Sequence, residues 1–128
     1  MIMQHKNLKQ DNPKRSKEIT QNYFQALDKH IADVISGRVL DFMEINQIAT
    51  TLFISHKHLT DTVQKETGKH PCHFYDNKII EEAKKMLTTT NKSAAHIAAI
   101  LTYEPSNFSK FFKKYTGFTP GQFRKGLS

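Results

Sequence analysis

The chain has seven histidines and one cysteine, and these invite a metal-site reading first. His56 and His58 stand two apart, and His70, Cys72 and His73 form a second cluster. A zinc site needs three or four such groups converging on one ion. On a helix, residues i and i+2 point about 200° apart, so His56 and His58 are poorly placed to share a metal. His70 and His73 flank the start of a helix, which suits capping and surface roles. A lone cysteine excludes a disulfide framework and a four-cysteine zinc site. No Ser/His/Asp spacing, glycine-rich phosphate loop or paired-carboxylate pattern stands out, and Glu81-Glu82 suits a solvated helix face. The expectation is a protein with no catalytic residues, no metal and no cofactor.

Two other sets of side chains carry a different chemistry. Lys57, Thr60, Asp61 and Gln64 follow helical spacing on a polar face that begins at His56. Ser106, Asn107, Ser109 and Lys110 form a second polar face, continued a turn later by Lys113 and Lys114. In a DNA major groove, Asn and Gln can bond adenine with two prongs, Lys can donate to guanine, and a carboxylate can accept from cytosine N4. Lys113 and Lys114 lie further along their helix, where a backbone phosphate is the expected contact.

Apolar spacing predicts the elements that must hold these faces. Tyr23, Phe24, Leu27, Ile31, Val34 and Ile35 mark one side of a helix that begins near Ser16 and stops at Ser36-Gly37. Ile45, Ile48, Ala49 and Leu52 mark a short helix. Leu59, Thr62, Val63 and Glu66 mark another, capped by Ser55 and ended by Gly68. Phe74, Tyr75, Ile79, Ala83, Met86 and Leu87 mark a longer helix with Pro71 in its first turn. An Ala-rich stretch from Ser93 to Leu101 and the run Phe108, Phe111, Phe112, Tyr115, ended by Gly117, complete the set. Nothing shows the strict alternation of a half-buried strand, so the expected class is all-α.

The strongest signal is an internal repeat. Ile48-Ala49 returns as Ile97-Ala98, Leu59 as Phe108, Val63 as Phe112, Thr67-Gly68 as Thr116-Gly117, Pro71 as Pro120 and Phe74 as Phe123, always at an offset of 49. Two copies cannot stack into a solenoid. Each copy reads as a short helix, a turn of three or four residues and a second helix, the outline of a helix-turn-helix. Ala49 and Ala98 supply the small side chain where two helices approach closely. An αα-hairpin without a nucleic-acid role shares this spacing. The polar outer faces are what favour a DNA reader.

Length and charge set the frame. A 128-residue chain fits one domain or two very small ones, and it buries enough of its surface to need no disulfide. No stretch approaches the ~18 apolar residues of a membrane span, and Met1–Gln10 lacks the apolar run of a signal peptide, so the expected compartment is the cytoplasm. The net charge of +7 is uneven. Residues 1–17 carry +4, residues 18–90 carry −2 and residues 91–128 carry +5. Such a balance suggests a polyanionic partner. Residues 1–15 are expected to form a basic flexible arm.

The stretch from about Ile31 to Arg124 resembles the DNA-binding domain of the AraC/XylS family of bacterial transcription regulators. Its most specific part runs from Phe108-Ser109-Lys110-Phe111-Phe112-Lys113-Lys114 through Gly117 and Pro120 to Phe123-Arg124. Ile48-Ala49, Ile97-Ala98, Ser55 to Leu59, and Ala83-Lys84-Lys85-Met86-Leu87 match further family features. The resemblance implies about seven helices, with two helix-turn-helix subdomains joined by a long linker helix. It divides residues 16–128 into a first subdomain (16–70), the linker (71–90) and a second subdomain (91–128). It implies two recognition helices in successive major-groove segments of double-stranded DNA, roughly 34 Å apart.

Three features depart from the family. Phe53 and Thr102 stand where it usually has glycine in each turn, and the second turn is one residue shorter than usual. Asp61 stands where arginine is common and Val63 where an aromatic is common. In the linker, Ile79 stands where the family typically has the arginine that precedes an isoleucine, with Lys78 beside it.

The implied function is sequence-specific DNA binding that regulates transcription. The base-reading candidates are Lys57, Thr60, Asp61, Gln64, Ser106, Asn107 and Lys110. The phosphate candidates are His56, Lys78, Ser93, Lys113, Lys114 and Arg124. Double-stranded DNA is the expected partner, RNA polymerase a second one, and a monomer with two readers suffices to bind. The alternative is a helical protein-interaction module on the same fold that no longer reads DNA, motivated by the acidic first unit. The length leaves no room for a sensor domain, which fits either a small stand-alone regulator or a piece of a longer chain.

Overall fold

A computed structural model describes residues 13–126. Among these residues the chain forms seven helices and no strand. In order they are α1 (Pro13–Ile35), α2 (Ile45–Thr51), α3 (His56–Thr67), α4 (Pro71–Thr89), α5 (Ala94–Ile100), α6 (Pro105–Thr116) and α7 (Pro120–Arg124). The expected all-α class is what is found. Helix α1 begins at Pro13, three residues before the predicted start, because proline is well tolerated in the first turn. Its end is as expected, with Gly37 in the left-handed region at φ 82°. The rest of the arm expected over residues 1–15 lies outside the described residues.

The described residues group into two compact units, each assembled from two stretches. One comprises residues 13–27 with 43–74, the other residues 28–42 with 75–126. Helices α1 and α4 each contribute to both. In the first unit, α2 packs on α3, and Ile19, Tyr23, Leu27, Ile48, Ala49, Leu59 and Val63 are buried. The Tyr23 hydroxyl donates to the Pro71 carbonyl at 2.8 Å, which ties α1 to the start of α4, and the rings of Phe24 and Phe74 lie 4.9 Å apart. His70 caps α4, its Nδ1 accepting from the Cys72 amide at 3.1 Å.

In the second unit, α5 and α7 both pack on α6. Ile79, Ile80, Ala83, Leu87, Ile97, Ala98, Leu101, Phe108 and Phe112 are buried there. Fully burying one of the leucine, isoleucine or phenylalanine side chains among them contributes roughly 1.5–3 kcal/mol. His30 is buried beside the rings of Phe42 and Tyr75. Burial holds its imidazole pKa below the ordinary value, and nearby Asp33 opposes this in part.

The 49-residue repeat extends to the backbone. Helices α2 and α5 share length and register, as do α3 and α6. The turn after α2 is closed by Phe53 N–H to Thr50 O and Ile54 N–H to Ala49 O; the turn after α5 by Thr102 N–H to Ala99 O and Tyr103 N–H to Ala98 O. Phe53 and Thr102 both sit at φ 62°, in the left-handed region that favours glycine. Two ordinary residues therefore adopt a conformation that glycine takes readily, at a cost in strain. Thr67 and Thr116 also match, each hydroxyl donating to a carbonyl one turn back, Val63 O and Phe112 O, just before Gly68 and Gly117.

Candidate nucleic-acid interface

Helix α3 is built to present one polar face. The Ser55 hydroxyl accepts from the His58 amide at 3.0 Å and starts it, and Gly68 at φ 79° ends it. Leu59, Thr62 and Val63 are buried. That leaves His56, Lys57, Asp61 and Gln64 exposed and Thr60 half-buried, at the spacing of one helical face. Lys57 Nζ and Asp61 Oδ2 form an ion pair at 2.7 Å. The hydrogen bond that Lys57 donates to Asp61, and then the charge of Asp61, hold the Lys57 pKa above its ordinary value. His56, Lys57, Thr60, Asp61 and His70 line one shallow concavity; Gln64 lies a turn beyond it.

Helix α6 starts differently. Glu104 occupies the cap position without a side-chain cap bond, and Pro105 is the first helical residue. Phe108 and Phe112 turn inward, while Ser106, Asn107, Lys110, Lys113 and Lys114 are exposed and Ser109 is half-buried. The flanks are held by aromatic contacts that sequence reasoning missed. Tyr103 stacks on Phe111 at 5.2 Å, and the Tyr115 hydroxyl donates to the Asp76 carboxylate on α4 at 2.5 Å. Burial, with Asp76 adding to it, pushes the Tyr103 pKa up to about 12. Nothing in a linear pattern couples residues 76 and 115, which is why the pair was not foreseen.

The six phosphate candidates fall into two groups. His56, Lys113 and Lys114 stand exposed. The other three already bond within the protein. Lys78 Nζ lies 2.6 Å from the Asp28 carboxylate. Ser93 caps α5, its hydroxyl oxygen accepting from the His96 amide at 3.0 Å. Arg124 is turned to the end of α4, with Nε donating to Leu87 O at 3.0 Å and Nη2 to Thr90 O at 3.2 Å. Cations commonly stabilise a helix C-terminus in this way.

The two second helices differ in charge. Helix α6 carries three lysines and no acid, whereas α3 carries Lys57 and Lys65 against Asp61 and Glu66. Among the described residues no group of three or more His, Cys, Asp or Glu could hold a metal ion, and no helix is long and apolar enough to cross a membrane.

Paired helix-turn-helix units with polar outer faces define a class, the DNA-binding domain of transcription regulators. Residues 48–126 match the model of a helix-turn-helix domain family, and the chain belongs to that family, the AraC-type helix-turn-helix regulators. The chain is 32% identical over 77 residues to the raffinose operon transcriptional regulatory protein RafR of Pediococcus pentosaceus. That match takes in 59% of this chain and 28% of RafR, so the chain spans well under half of that relative. The C-terminal domain of AraT, a response regulator from Geobacillus stearothermophilus, superposes with a TM-score of 0.73 at 25% identity, covering 84% of each chain. The DNA-binding domain of AdpA, a global transcriptional factor solved in complex with a target DNA, superposes with a TM-score of 0.62 at 17% identity. It covers 76% of this chain and 91% of that one and shares the fold.

Proposed function

We propose that the chain is a sequence-specific reader of double-stranded DNA in which α3 and α6 are both recognition helices, entering successive major-groove segments. One observation carries this reading. The whole helix-turn-helix, including the strained turn residue and the glycine stop, recurs at one offset of 49, and both second helices keep an exposed polar face. A merely structural hairpin needs the buried half of that pattern and not the polar half. Lys57, Thr60, Asp61 and Gln64 on α3, and Ser106, Asn107 and Lys110 on α6, are the base-reading set. Lys113, Lys114 and His56 are the phosphate set. Two readers in one chain suffice for binding as a monomer, and such an activity belongs in the bacterial cytoplasm.

The test is selection of bound duplexes from a random library, followed by footprinting of the winner. Two enriched half-sites about one helical turn apart are expected. Loss of one half-site on replacing α3 residues, and of the other on replacing α6 residues, would complete the assignment. An enriched motif confined to one half-site would remove α3 or α6 from the reading role. No enriched motif at all would favour a helical protein-interaction module.

A further inference from the structure

The Lys57–Asp61 pair sits in the middle of the polar face of α3, both side chains in solvent, with exposures of 85% and 61%. An ordinary surface pair of this kind contributes little to stability. Its geometry matters more. A carboxylate and an ammonium 2.7 Å apart present an acceptor and a donor side by side. The outer edge of a base pair in the major groove also presents a donor beside an acceptor. In a C·G pair these are cytosine N4–H2 and guanine O6, which bond each other at about 2.9 Å. The two spacings match.

Resting on the proposed DNA-reading role, we infer that Lys57 and Asp61 act as one unit that reads a C·G base pair. Asp61 accepts from cytosine N4, and Lys57 donates to guanine O6. Neither group gives up its partner to do so. A carboxylate has about four acceptor positions and an ammonium three donors, so the ion pair persists while each end makes a new bond. No lone charge is left desolvated.

An A·T pair offers a similar donor beside an acceptor, at adenine N6 and thymine O4, yet fits less well. Adenine N7 is an acceptor next to N6 and repels the carboxylate, and the thymine methyl crowds O4 and desolvates the ammonium. In C·G both acceptors, O6 and N7, lie on the guanine side with the ammonium, and the carboxylate faces the amino group alone. The same unit explains how α3 can read bases without net positive charge. At the equivalent positions α6 has Ser106 and Lys110, which cannot form such a pair.

The test is selection from random duplexes with the full chain and with Asp61→Asn, Lys57→Ala and the double variant. The unmodified chain should enrich C·G at one position. Asp61→Asn should lower the preference at that position roughly five- to hundredfold. It should leave the other positions intact and raise affinity for unrelated duplexes, because a negative charge facing phosphates is gone. Lys57→Ala should lose the same position, and the double variant should lose no more than either single one. A site whose every position survives Asp61→Asn would overturn the inference and leave the DNA-reading role standing. So would an A·T pair at the position these variants affect. Failure of the unmodified chain to enrich any motif would overturn the DNA-reading role itself.

Discussion

Thr102→Gly should stabilise the protein. Thr102 sits at φ 62°, is exposed, and is β-branched, the residue type least suited to the left-handed region. That conformation costs a non-glycine residue about 1–2 kcal/mol. Glycine returns part of the gain by widening the unfolded ensemble, about 0.5–1 kcal/mol. The net expectation is a gain of about 0.5–1 kcal/mol, or an increase of roughly 2–5 °C in Tm. Phe53→Gly is the sister experiment, with the same φ and a side chain that is 94% exposed, so no burial is lost. Thr50→Gly is the control. That residue is exposed inside α2, and since glycine is a poorer helix former than threonine the change should destabilise by about 0.3–0.5 kcal/mol. Thermal and urea melts by circular dichroism measure all three. If Thr102→Gly and Phe53→Gly destabilise as Thr50→Gly does, the left-handed turn carries no strain and the reasoning fails.

Three further outcomes are expected. Lys113→Ala should weaken binding to all duplexes alike and lower the slope of log affinity against log salt by about one. Arg124→Gln removes two charge-assisted bonds to Leu87 O and Thr90 O, so it should cost roughly 1–3 kcal/mol of stability in melts while leaving the salt slope unchanged; a drop in slope would make Arg124 a phosphate contact instead. Burial depresses the His30 pKa in the folded state, so the unfolded chain takes up the proton first. The contribution of His30 is then complete above the ordinary histidine range and declines as pH falls below about 6.5, and His30→Phe should flatten the loss of Tm between about pH 7.5 and 5.5.

The fold was legible because its signals are local and doubled. Ser55 and Ser93 as caps, Gly68 and Gly117 as stops, and Pro71 as a first helical residue are one-turn effects that a sequence displays directly. The spacing of 49 set the second unit on the first, so each weak helix had a stronger partner. What stayed hidden were the contacts across sequence. Arg124 matched a family motif, and nothing in that motif showed its guanidinium turned to carbonyls 37 and 34 residues away. Tyr115 with Asp76 and Tyr103 on Phe111 were hidden for the same reason. The Lys57–Asp61 pair lay in plain view at i,i+4, but its value as a unit needed the observed 2.7 Å.

The uneven charge of the chain acquires a mechanical meaning from these placements. Attraction to phosphates does not distinguish one sequence from another, whereas bonds to base edges do. Helix α6 has the lysines for the first task. Helix α3 holds its lysine at 57 in an ion pair, which removes much of its long-range pull and leaves a directional donor–acceptor edge. A wrong base pair under that edge leaves the outward acceptor of Asp61 without a donor, a larger penalty than a lysine missing a phosphate. Binding should therefore be driven mainly by α6, and discrimination by α3 should be sharp although its contribution to affinity is small. Raising salt should weaken the α6 term first, so the ratio of specific to non-specific affinity should increase with ionic strength while both affinities fall.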